Sequence, residues 1–146
     1  MNADLRDRWL ARANDRIAAA GMRAGSARTA VVELLAREGQ CLLTVQEIID
    51  RLPRSGPGSS SSVYRAVDEL LALGLIRRLN DHGDGAARYE IADPDRHHHH
   101  FVDERDGHVE PFTDPEVEAA IHAAARRLDV DLSGHELVLR GTRRAR

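Results

Sequence analysis

Four consecutive histidines, His97 to His100, stand inside the chain 96-RHHHHFVDERD-106, followed directly by apolar and then acidic residues. Neutral imidazole binds Zn(II), Fe(II) and Mn(II), and carboxylates complete the ligand sets these ions take. On an extended strand, residues two apart share a side, so His97 and His99 face one way and His98 and His100 the other. One run can therefore feed two sites. Further donors must come from distant segments, and Glu90, Glu118 and His135 are the candidates. A lone histidine at 135 more often satisfies a core than holds an ion. Four in a row with distant partners shift the balance toward metal, and an internal run leading into strand-like sequence is not a purification tag. A metal-dependent hydrolase is the rival use of such a cluster. It needs an open coordination position beside a general base, and no His-Glu-x-x-His or comparable spacing occurs, so the chain reads as a non-enzyme.

A second chemistry lies upstream. In 62-SVYRAVDELL-71 the apolar stripe Val63, Val67 and Leu70 turns Ser61, Arg65 and Asp68 outward, with Tyr64 on the flank. An outward arginine at a helix N-terminus can bridge guanine O6 and N7 in a major groove, and a tyrosine beside it can reach a phosphate or a thymine methyl. Arg23 and Arg28 ahead of it, and Arg77 and Arg78 after it, are candidates for backbone phosphates. A surface arginine is usually only solvated, but here the arginines cluster. Residues 1–79 carry 12 arginines against 9 acids, whereas residues 80–146 carry 9 against 15, and all eight histidines lie at or beyond His82. A basic front and an acidic, histidine-rich back suggest two tasks on one chain.

The elements that must position these residues follow from periodicity. Leu5, Trp9, Ala13 and Ile17 mark a helix over about 4–20, and Ala27, Val31, Leu34 and Leu35 a second over about 26–37. A third starts at Thr44, with Glu47 completing a capping box, and ends at Pro53. The proline, glycine and serine of residues 53–62 predict a turn into a helix over about 60–73. Leu75–Leu79 and Ala86–Ile91 predict a hairpin joined by the turn 80–85. That set is a winged helix-turn-helix. After a hinge at 92–96 come strands at 101–102 and 108–112, a helix capped by Asp114 with Pro115 at its first position, and a strand over 135–140 that buries Leu137 and Leu139. The expected class is α+β: residues 1–91 a DNA-binding winged helix, 97–146 a small α/β domain that pairs with a second copy because alone it buries too little. A single cysteine, Cys41, excludes an internal disulfide and a cysteine-only zinc site. No apolar run approaches the ~18 residues of a membrane span and no signal-peptide pattern opens the chain, so a cytoplasmic location without a membrane partner is expected.

Taken together, 21-GMRAGSARTAVVELLA-36, 44-TVQEI-48, 62-SVYRAVDELLALGLI-76, 88-RYE-90, the histidine run with Phe101 and Val102, and 107-GHVEPF-112 resemble the ferric uptake regulator family. The resemblance runs in order from about residue 17 to the C-terminus. It implies a metal-dependent repressor of metal-homeostasis genes that binds a palindromic operator in double-stranded DNA as a homodimer, with a winged helix followed by an α/β dimerisation domain. The family's DNA-contacting tyrosine and arginine fall on Tyr64 and Arg65 and its minor-groove basic residue on Arg23, while Gly25 replaces a usual threonine. His97, His99, Glu118 and His135 fall on a complete regulatory site for Zn(II) or Fe(II), with Mn(II) also accommodated. Glu90, His98 and His100 fall on a hinge site whose fourth ligand, usually a histidine, is here Leu42 beside Cys41. The four cysteines of the family's structural zinc are replaced by Asp103, Asp106, Arg143 and Arg146, so that zinc is expected to be absent; the two acids could pair with the two arginines, or the arginines form a solvated tail. A subgroup resembling the iron response regulator also lacks those cysteines and senses haem; the chain has no Cys-Pro haem motif, which leaves that as the alternative.

Overall fold

The computed structural model describes residues 3–23, 25–39, 42–54, 59–79, 85–92 and 97–145. Cys41, Arg146, most of the expected hairpin turn (80–84), part of the serine-rich turn (55–58) and the expected hinge beyond Ala92 (93–96) lie outside them. The chain divides into two units, Met1–Pro94 and Asp95–Arg146.

The first unit holds α1 (Ala3–Ala19), α2 (Ser26–Glu38), α3 (Val45–Arg51), α4 (Ser60–Ala72), β1 (Ile76–Leu79) and β2 (Arg88–Ile91). Each helix buries the stripe its spacing dictates: Leu5, Trp9 and Ala13 from α1, Val31, Leu34 and Leu35 from α2, Val45 and Ile48 from α3, Val63, Val67 and Leu70 from α4. These close into one core with Leu75, Ile76, Tyr89 and Ile91. Trp9 is 1% exposed and its indole N–H donates to the Leu75 carbonyl at 2.8 Å, so the largest side chain is packed without leaving its polar edge unpaired. The capping box of α3 is formed as the sequence predicts: the Thr44 hydroxyl accepts from the Glu47 N–H at 3.1 Å while the Glu47 carboxylate accepts from the Thr44 N–H at 2.8 Å. α4 stops at Gly74, which takes φ +66, and Arg16 of α1 donates to the Leu73 carbonyl at 2.8 Å, placing a cation on the helix's negative end. β1 and β2 pair antiparallel, Ile76 opposite Ile91 and Arg77 opposite Glu90, and Leu43 exchanges two backbone hydrogen bonds with Tyr89 to widen the wing.

The second unit holds β3 (His99–Asp103), β4 (Val109–Phe112), α5 (Pro115–Arg127) and β5 (Val138–Gly141). The sheet order is β4-β3-β5, with β4 antiparallel and β5 parallel to β3. A parallel partner needs a crossover, and α5 supplies it. Asp114 caps α5 through the N–H groups of Glu116 and Val117.

Two expectations are corrected. The last strand starts at Val138, leaving His135 in the segment before it, and Leu139 is 47% exposed. Strand β5 pairs on one side only, as an edge of the sheet.

Candidate metal centre and nucleic-acid interface

Three separate segments of the second unit converge on one carboxylate. Oε1 of Glu118, in the first turn of α5, lies 2.6 Å from Nε2 of His99 in β3, 3.1 Å from Nε2 of His135 ahead of β5, and 3.4 Å from Nε2 of His97. One donor atom from each of the four residues falls within 4.8 Å of every other. Rings of His97 and His135 stand 4.3 Å apart, and Phe112 packs on His99 at 5.4 Å. The parallel β3–β5 pairing and the α5 crossover are what bring these segments together. The positive end of α5 also favours an anionic Glu118.

The electrostatics suit a divalent cation. Burial by itself raises the Glu118 carboxyl, but the hydrogen bond with His135 and the charges of His135 and His97 hold it below the usual carboxylate range. His99 is 1% exposed; its Nε2 makes a short approach to Glu118, and its Nδ1 has no hydrogen-bond partner in the structure. A buried ring nitrogen left unpaired is costly. Aimed with three other donors at a common point, it is what a metal ligand looks like, and the set of three imidazoles and a carboxylate fits Zn(II), Fe(II) or Mn(II).

The remaining sequence candidates divide between the units. His98 and His100 are buried in the second, their rings 4.8 Å apart. Glu90 is buried in the first, on β2, where Nη2 of Arg77 reaches its Oε1 at 2.6 Å. Leu42 is buried and apolar. Arg77, expected at a phosphate, is also paired with Glu90 across the two strands, as the hairpin register dictates.

On α4, Ser61, Tyr64, Arg65 and Asp68 are exposed, Tyr64 by 52%, and Arg23 and Arg78 are exposed as well. Arg28 is engaged with Glu69 of α4 at 2.6 Å and donates to the Arg23 carbonyl, so it joins α2 to α4. Sequence reasoning overlooked this pairing.

Of the acids and arginines at the replaced cysteine positions, the side chains of Asp103 and Arg143 take other partners, and Arg146 lies outside the described residues. Asp103 takes Arg105 through two contacts, Nη2 to Oδ2 at 2.7 Å and Nε to Oδ1 at 3.1 Å, while Arg143 pairs with Glu110 and lies over the Phe101 ring. Arg105 is two residues away inside the tight β3–β4 turn, so it reaches Asp103 with little ordering cost. Asp103 does still accept from the Arg143 backbone N–H, and Arg105 with that N–H depresses its pKa to about 2.

His122 was also missed. It follows Glu118 by four residues on α5, with Nε2 3.8 Å from Oε2, and the spacing alone would have revealed it.

The sequence profile of the ferric uptake regulator family matches residues 19–140. A "Ferric uptake regulation protein" of Rhizobium leguminosarum bv. viciae is 41% identical over 83 residues, 57% of each chain, so the match spans little over half of that relative. Among solved structures, the Vibrio cholerae ferric uptake regulator superposes with a TM-score of 0.76 at 27% identity, over 88% of this chain and 98% of its own. A zinc-bound manganese uptake regulator gives 0.74 at 31% identity, over 89% and 97%.

Proposed function

The chain belongs to the ferric uptake regulator family, and from that premise we propose that it is a metal-dependent transcription regulator rather than an enzyme. Its ligands are His97, His99, Glu118 and His135; it binds a palindromic operator as a homodimer and represses metal-homeostasis genes. The observation that carries the reading is the convergence of those four donors from three segments on one point, with His99 buried against Glu118 and its Nδ1 left without a partner. Bound there, a divalent cation supplies the charge that lets three imidazoles and a carboxylate sit together without repulsion or orphaned nitrogens.

The residues then do the rest. His97 and His99 tie the start of β3, Glu118 ties α5, and His135 ties the approach to β5, so the sheet and its crossover become one rigid body. That body carries the exposed apolar residues Leu128, Val130, Leu132 and Leu139, the natural cover for which is a second copy. Two copies present two α4 helices, each offering Ser61, Tyr64 and Arg65 to a major groove, with Arg23 and the wing arginine Arg78 on phosphates. Arg28 holds α4 in place through Glu69. Glu90, His98 and His100 remain the weaker ligand candidates: the family's histidine is absent at Leu42, and Arg77 already neutralises Glu90. No structural zinc is held at Asp103, Asp106, Arg143 and Arg146, since carboxylate and guanidinium replace every thiolate.

The test begins with duplexes selected from a randomised pool in the presence of Zn(II), followed by titration of the enriched palindrome with metal and with chelator. Binding should tighten with metal and lose that gain in Glu118→Gln, whose metal affinity should fall by more than about 100-fold, beyond what supporting residues cost. Equal DNA affinity in metal and chelator sinks the proposal.

A further inference from the structure

The two oxygens of Glu118 face different partners. Oε1 meets His97, His99 and His135, whereas Oε2 points to His122, one turn further along α5. We propose that His122 is a positioning residue that holds Oε2, keeps Glu118 monodentate, and thereby selects which ion the centre prefers. The proposal rests on the metal reading of the four-residue cluster.

A carboxylate that ligates through one oxygen leaves the other charged and free to close on the same ion. An N–H donor on that second oxygen opposes the closure and orients the first. His122 is placed for this: residues four apart on a helix lie one above the other, Nε2 stands 3.8 Å from Oε2, just outside hydrogen-bond reach, and 57% side-chain exposure leaves the ring room to close it. It is not itself one of the converging donors, because its ring lies 6.2 Å from that of His135 and the group within 4.8 Å does not include it. With Glu118 monodentate the protein supplies four donors, the number Zn(II) takes. With Glu118 bidentate it supplies five, two of them carboxylate oxygens, which moves the site toward Mn(II), an ion suited to oxygen-rich, higher coordination. One exposed histidine therefore biases the centre toward zinc.

Co(II) is the probe, because its visible absorption is more intense in four-coordinate sites than in five-coordinate ones. The full chain with one equivalent of Co(II) should show the intense band. His122→Ala should weaken it and lower the ratio of Zn(II) to Mn(II) affinity by about tenfold. His122→Gln, whose amide N–H falls near the imidazole Nε2 position, should restore both, whereas the shorter His122→Asn should not. If the alanine variant misfolds by circular dichroism, the Gln and Asn pair decides alone. Unchanged band and ratio in Ala and Asn overturn the proposal, as does a change toward four-coordination in Ala, which would make His122 a ligand. If the wild-type Co(II) band survives His135→Ala, the metal site itself is wrong, and that outcome is independent of His122.

Discussion

Asp103 shows how one carboxylate can organise a strand end. It accepts from the Arg105 side chain and backbone and from the Arg143 backbone N–H, which together bring its pKa down from 3.8 to about 2. A group depressed on folding contributes stability that is fully present above pH about 4 and is lost as pH falls toward 2. Asp103→Asn should therefore lower the melting temperature at neutral pH and flatten its decline between pH 4 and 2; parallel wild-type and variant curves across that range would show the carboxylate is not coupled to folding. Arg65 belongs to the same scale. Its exposure on α4 leads us to expect that Arg65→Ala costs about 1–3 kcal/mol of operator affinity and relaxes preference at one base pair, whereas Arg23→Ala weakens all duplexes alike and reduces the salt dependence. Binding measured against single-base operator variants at two salt concentrations separates the two.

At the scale of elements, local chemistry and structure agree closely wherever the signal is local. Thr44 and Glu47 announce α3 three residues apart, and both capping bonds are present. Thr44→Ala should cost about 1 kcal/mol in denaturant unfolding of the first unit, within the range for lost caps; a loss near zero would mean the core holds α3 without its cap. Gly21, Gly39 and Gly74 mark helix ends, each with positive φ. The last strand was less legible. Alternation in 135-HELVLR-140 predicts a strand from His135 with Leu139 inside, but strand length and face depend on which neighbour pairs and what covers the sheet. β5 lies parallel at an edge, so it pairs from Val138 onward and shows Leu139. The same dependence hid the pairing of Arg77 with Glu90: only the register of β1 on β2 puts them opposite each other.

For the whole molecule, the division into Met1–Pro94 and Asp95–Arg146 separates two kinds of core. The first unit buries helix stripes around Trp9; among described residues, the second buries only Val102, Val109 and Ala125 as apolar side chains, beside His98, His99, His100 and Asp103. A unit so poor in apolar burial needs a metal, a partner or both. Leu139→Glu should accordingly shift the protein from dimer to monomer in light scattering, and a dimer of unchanged stability would place the interface elsewhere. The sequence by itself determined the helices, their caps, the basic front, and the pairing of His97 with His99, because these depend on neighbours within a few residues. Only the tertiary structure decided that Glu118 and His135 meet them, that Asp103 takes Arg105 rather than Arg143, and that Leu139 is outside. Those outcomes depend on a crossover and a strand order, and contacts between distant segments are chosen by packing rather than by any local period.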